Sequence, residues 1–161
     1  IFLSFGPLLT LGSGFAISME TIQLFSNEFY NLMILGVPIG LLTTNILFIN
    51  QFPDYTSDKK VGKNHLVVLF GKKASRWIYA INLALATGSL YYMAVENIVN
   101  ETQDSLFLYV LIPITIIYSF YLISGLFKYY NNRKLIKYNI HTIYFHMLFS
   151  FIYMIILANF Q

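Results

Sequence analysis

The chain has 161 residues, of which 57% are hydrophobic and only 11% charged, with a formal net charge of +3. An ordinary soluble domain carries about 25% charged residues, so water is not the main solvent of this protein, and no nucleic-acid partner is expected. The absence of Cys excludes a disulfide framework, a thiol nucleophile and a thiolate metal site.

A bilayer core takes about 20 mostly apolar residues per helix, and five segments meet that length. The first runs from Ile1 to Met19, and the chain starts directly inside it at Ile rather than at Met. That start predicts that the chain is the later part of a longer protein. The second runs from Asn31 to Phe52, the third from Ser75 to Val95, the fourth from Ser105 to Phe127 and the fifth from Ile140 to Phe160. The fold class expected is therefore all-α: a polytopic membrane helical bundle of about five transmembrane helices, forming one membrane domain over residues 1–161. The irregular residues within the spans are Gly6, Pro7, Gly12, Gly14, Gly36, Pro38, Gly40 and Pro113. Membrane helices tolerate these because neighbours re-satisfy the freed backbone groups, so they are expected at kinks and close-packing points.

Charge tests the assignment independently. All ten Lys and Arg fall in two loops, one leading from span two into the start of span three (Lys59, Lys60, Lys63, Lys72, Lys73, Arg76) and one between spans four and five (Lys128, Arg133, Lys134, Lys137). Glu20, Glu28, Glu96, Glu101 and Asp104 occupy the two alternate connections. Alternating topology puts both basic loops on one side, and the positive-inside rule makes that side cytoplasmic. The protein is thus expected to be a multi-pass protein of the cell inner or plasma membrane. Its 15 Phe and 13 Tyr cluster in part near span ends, as at Tyr91-Tyr92 and Tyr129-Tyr130. Such residues form interfacial belts; a few could instead line an apolar tunnel and face a carbocation.

Only Asp54 and Asp58 are acidic on the basic side. Pro53 suits the first turn of a helix, and a separation of four puts both carboxylates on one helix face, able to share a divalent cation. If the second span continues into this segment, Thr43, Asn50, Asp54 and Asp58 form one polar stripe, which should face a cavity rather than lipid. The plain alternative is a solvated helix whose first-turn carboxylates are favoured by the dipole and pair with nearby lysines. Carboxylates holding Mg²⁺ beside Lys59, Lys60 and Lys63 would make a receptor for pyrophosphate, since Mg²⁺ takes one or two carboxylates and completes its octahedron with water and phosphate oxygens.

The run Asn50-x-x-x-Asp54-x-x-x-Asp58, followed by Lys59, Gly62-Lys63, Leu66 and Leu69-Phe70-Gly71, resembles the second aspartate-rich motif and downstream loop of the UbiA superfamily of intramembrane prenyltransferases. That family has nine membrane helices and two such motifs. The resemblance implies that these spans correspond to helices five to nine, the C-terminal half, because the earlier aspartate motif does not occur in the chain. Phe5-Gly6-Pro7 with Leu11-Gly12 is similar to the menaquinone branch, which prenylates 1,4-dihydroxy-2-naphthoate. The resemblance implies Asp54 and Asp58 as catalytic metal ligands assisted by Asn50, with Asn50, Lys59 and Lys63 at the diphosphate of a polyprenyl diphosphate. Mg²⁺ is the implied cofactor, an aromatic compound the acceptor and the bilayer the solvent for the prenyl tail. Other family acceptors are 4-hydroxybenzoate, a tetrapyrrole or a glycerol-phosphate lipid.

Tyr55 could contact a phosphate or simply pack at the interface. A second stripe, Asn139, Thr142, His146, Ser150 and Tyr153, runs along the last span; His146 either bonds a neighbouring helix or touches the acceptor ring. His65 and His141 read as ordinary surface residues. Two other classes remain. An ion-coupled transporter could hold Asn50, Asp54 and Asp58 as an ion site, and a scaffold subunit would need no complete active site.

Overall fold

A computed structural model describes residues 2–18, 23, 25–99 and 105–158. Every element among them is a helix: α1 (Phe2–Phe5), α2 (Pro7–Ser18), α3 (Asn27–Leu35), α4 (Val37–Lys60), α5 (Leu66–Val99), α6 (Ser105–Tyr129) and α7 (Leu135–Ala158). The expected all-α membrane bundle is the fold observed. Ile1, Met19 and Phe160, at the ends of the first and last expected spans, lie outside the described residues, as do Glu20, Glu101 and Asp104 of the acidic connections.

Three stretches among the described residues are long and apolar enough to cross a membrane: Phe29–Lys60, Val110–Tyr129 and Leu135–Leu157. Only 33% of the most apolar stretch of each of the last two is buried. Their outward side chains are nonetheless apolar, Ile117, Phe120 and Met147 among them. A helix apolar all round with one side open is built for lipid. α5 is broken by a kink at Gly71 (φ +75°), and the helix beyond it carries Asn82, Thr87, Gly88 and Ser89, which makes its composition less apolar.

α4 packs against α5 and α7, and α6 closes the ring between α5 and α7, with α1 to α3 laid beside this group. Ile49, Phe52, Leu83, Leu122, Phe145 and Phe149 are fully buried where the four long helices meet. The close-packing role expected for glycine holds at Gly6 and Gly36, where a Cβ on either would run into the backbone of the other, and Gly6 also sits against the Gly40 backbone. By contrast, a Cβ at Gly12 would meet open space.

Pro53 differs from expectation. α4 runs unbroken from Val37 to Lys60, so Pro53 lies inside the helix rather than in its first turn. Its ring removes the donor that would serve the Ile49 carbonyl, but Ile49 and Phe52 are both fully buried, and that packing holds the helix through the defect.

The two basic loops share one end of the bundle, as the charge pattern predicts. The Arg76 guanidinium, near the start of α5, lies 4.6 Å from the Phe127 ring centroid and 4.8 Å from that of Tyr130, at the end of α6. Tyr129 stacks on Tyr138 at 5.7 Å, and Tyr91 and Tyr92 are exposed, as belt residues should be.

Candidate functional site

The site is built by the way α4 ends. Gly62 has φ +72°, a left-handed conformation that glycine adopts without a Cβ penalty. Its N–H donates to the Lys59 carbonyl at 3.3 Å, and the Lys63 N–H donates to the Asp58 carbonyl at 3.0 Å. These two bonds make a Schellman cap, which turns the chain back across the last helical turn. The side chains follow the backbone. Lys63 Nζ donates to Asp58 Oδ1 at 2.6 Å, and His65 Nε2 lies 2.9 Å from Asp58 Oδ2.

His65 is held from its other side too. Its Nδ1 accepts from the Val68 N–H at 3.4 Å, and its carbonyl accepts from Val68 and Leu69 at the start of α5. With Nδ1 an acceptor, Nε2 carries the proton and donates to Asp58. One neutral tautomer thus satisfies both contacts. Asp58 is only 8% exposed, while Asp54 is exposed one turn earlier. The Asp58 hydrogen bond, with the added attraction of the Asp58 and Asp54 charges, holds the Lys63 ammonium above its usual pKa, so it remains charged.

The polar stripe of α4 meets the polar stripe of α7. Asn139 Nδ2 donates to Asn50 Oδ1 at 2.8 Å, and Thr43 Oγ1 lies 3.0 Å from His146 Nε2. Both pairs are offset by seven residues, as antiparallel neighbours require. Asn50 and Thr43 therefore turn toward α7, whereas Asp58 turns toward the capping loop. Thr142 leaves the stripe to bond the fully buried Tyr79 of α5, its Oγ1 being 2.8 Å from the phenol oxygen. Tyr153 donates to the Leu35 carbonyl at 2.7 Å. Lys59 and Tyr55 form a separate group, with Lys59 Nζ at 5.7 Å and Lys72 Nζ at 5.5 Å from the Tyr55 ring centroid.

Of the sequence-derived site residues, then, the structure joins Asp58 to Lys63, sets Asp54 beside them on the same face, and anchors Asn50 on α7. His65, which reads as a surface residue in sequence, is the partner of Asp58 that sequence reasoning misses. The signal that points to it is Gly62, because a glycine after a helix end predicts the turn that brings residues 63–65 over Asp58.

A cavity of about 750 Å³ opens between α2, the α3–α4 segment and α7. Leu9, Leu35, Ile39 and Met154 give it apolar walls, and Thr10 and Ser150 are among its few polar groups. Ser150 Oγ lies 3.4 Å from His146 Nδ1, so the cavity adjoins the polar contact between α4 and α7.

The model of the UbiA prenyltransferase family matches residues 1–152. The chain belongs to the UbiA prenyltransferase family. No curated protein and no solved structure matches it. UbiA membership favours a transferase over the ion-coupled transporter and fits an integral membrane protein. It also gives the aspartate pair a context that an isolated D-x-x-x-D lacks.

Proposed function

We propose that the chain supplies the second aspartate-rich half of a Mg²⁺-dependent prenyltransferase. In this reading it moves a polyprenyl group from its diphosphate to an aromatic acceptor, 1,4-dihydroxy-2-naphthoate in menaquinone biosynthesis, at the cytoplasmic side of the cell membrane. The observation that carries the proposal is the position of Asp54 and Asp58. They lie one turn apart at the basic end of a helix long and apolar enough to span a bilayer, with Lys63 folded onto Asp58.

The donor set fits Mg²⁺. Two carboxylates four residues apart can supply the one or two protein oxygens this ion takes, and water and phosphate oxygens supply the rest. Asp54 and Asp58 would hold the ion, whose chemistry is to stabilise charge on the departing pyrophosphate. The chain's own groups do the remainder. In this reading Lys63, a charged donor whose side chain is largely exposed, exchanges Asp58 for a diphosphate oxygen, and His65 keeps the Asp58 carboxylate oriented while Lys63 is away. Lys59 adds a second cation, and the bond between Asn50 and Asn139 fixes the stripe above the carboxylates.

The apolar cavity between α2 and α7 suits the prenyl tail. In the transfer, the bond between the allylic carbon and the diphosphate oxygen breaks, and the pair of electrons leaves with pyrophosphate. An acceptor ring carbon forms the new carbon–carbon bond, and the ring loses a proton, or carbon dioxide from a carboxylated naphthoate. The menaquinone assignment is supported by the Phe5-Gly6-Pro7 and Leu11-Gly12 pattern. Presenting a panel of aromatic acceptors to membranes that contain the full-length protein tests it: prenylated product from 4-hydroxybenzoate but not from dihydroxynaphthoate would overturn the assignment.

A further inference from the structure

The basic end of the bundle holds a second cavity, of about 510 Å³, lined by Tyr55, Thr56, Lys72, Lys73, Tyr130 and Asn131. Neither Asp54 nor Asp58 lines it. Among the described residues the lysine–carboxylate ion pair is that of Lys63 with Asp58, so Lys72 and Lys73 face the cavity without a carboxylate partner. Tyr55 sits between two ammonium groups, those of Lys59 and Lys72. Tyr130 backs onto Arg76, whose buried Nε has no hydrogen-bond partner. Rings and amides can spread this positive charge but cannot neutralise it, so the pocket is complementary to an anion.

We infer that this cavity binds the phosphate headgroup of an anionic phospholipid in the leaflet that faces the basic loops. The chemistry recognised is a phosphate monoanion or dianion, and two features select a lipid as its source. A bare phosphate ion would fill little of the space, whereas a headgroup with its glycerol falls in the size range of ordinary ligand pockets. The surface beside the cavity is also apolar and aromatic. One residue beyond Arg76, Trp77 is 57% exposed and packs edge-on to Phe127 at 4.8 Å, which gives acyl chains a surface to follow. Basic pockets between membrane helices on the cytoplasmic side are suited to anionic headgroups. The inference rests on the shared end of the two basic loops and not on the transferase reading.

Native mass spectrometry of the full-length protein, purified from vesicles of mixed phosphatidylglycerol and phosphatidylcholine, tests it. The wild type should retain phosphatidylglycerol in preference to phosphatidylcholine. K72Q/K73Q should lower that retention roughly ten- to thirtyfold, at about 1 kcal/mol per lysine. K72R/K73R keeps the charge and should retain the lipid, and K128Q/K134Q removes two cations outside the cavity and should leave retention unchanged. Equal retention of the two lipids, unchanged retention in K72Q/K73Q, loss in K72R/K73R, or an equal loss in K128Q/K134Q would each overturn the site. Displacement of the bound lipid by millimolar inorganic phosphate would assign the cavity to a soluble anion and overturn the lipid source.

Discussion

Gly62→Ala isolates the turn that builds the candidate site. A Cβ at Gly62 would meet nothing within 4 Å, so the substitution adds no clash and its cost is the left-handed backbone alone. At φ +72° that cost is about 1–2 kcal/mol for an L-residue. Relative to an open loop, the turned-back form that places Lys63 and His65 on Asp58 is depopulated roughly 5- to 30-fold. If diphosphate binding needs that form, KM for the polyprenyl diphosphate rises by a factor in this range, while kcat at saturation falls much less. Gly62→Asn, which tolerates the left-handed region better, should have a smaller effect. The assay is initial-rate prenyl transfer in membranes with a radiolabelled polyprenyl diphosphate at fixed acceptor. A wild-type KM in Gly62→Ala would refute the claim that the cap places the diphosphate-binding groups.

Three further outcomes follow from the packing. Asn50→Ala removes one neutral hydrogen bond to Asn139, worth about 0.5–1.5 kcal/mol; transfer should fall roughly two- to tenfold, and a total loss would mean that Asn50 does more than orient the stripe. Gly125→Ala would drive a methyl group into the Tyr138 ring, which is itself packed by Tyr121 and Tyr129. Overpacking of this kind costs about 1–3 kcal/mol, so thermal unfolding in detergent should come at lower temperature, whereas Gly88→Ala, with open space at its Cβ, should not destabilise. Tyr79→Phe deletes the bond to Thr142 in the buried centre and should cost about 0.5–1.5 kcal/mol; a changed KM with unaltered unfolding would contradict the structural role given to it.

Hydropathy and charge carry much of the fold in the sequence. The segregation of ten cations into two loops predicts the shared basic end, which the contact of Arg76 with Tyr130 shows. Spacing likewise makes both polar stripes visible within their own helices. It does not reveal that Thr43 meets His146 and Asn50 meets Asn139, because the register between two helices is fixed by packing across the whole bundle. Nor does it show that Thr142 leaves its stripe for Tyr79, since a third helix decides that contact. Pro53 illustrates the opposite error. Local preference places proline in a first turn, and the buried neighbours Ile49 and Phe52 override it. His65 escapes notice for a related reason: histidine in a polar loop has no pattern of its own, and only the turn at Gly62 gives it a partner.

The central claim is that Asp54 and Asp58 act together as the metal-binding half of a prenyltransferase site. Its most direct test is Mg²⁺-dependent transfer from a radiolabelled polyprenyl diphosphate in membranes containing the full-length protein, comparing wild type with Asp54→Ala and Asp58→Ala. The account predicts product in the wild type that disappears when Mg²⁺ is chelated, and none from either variant at equal protein level. Wild-type turnover in both variants would contradict it.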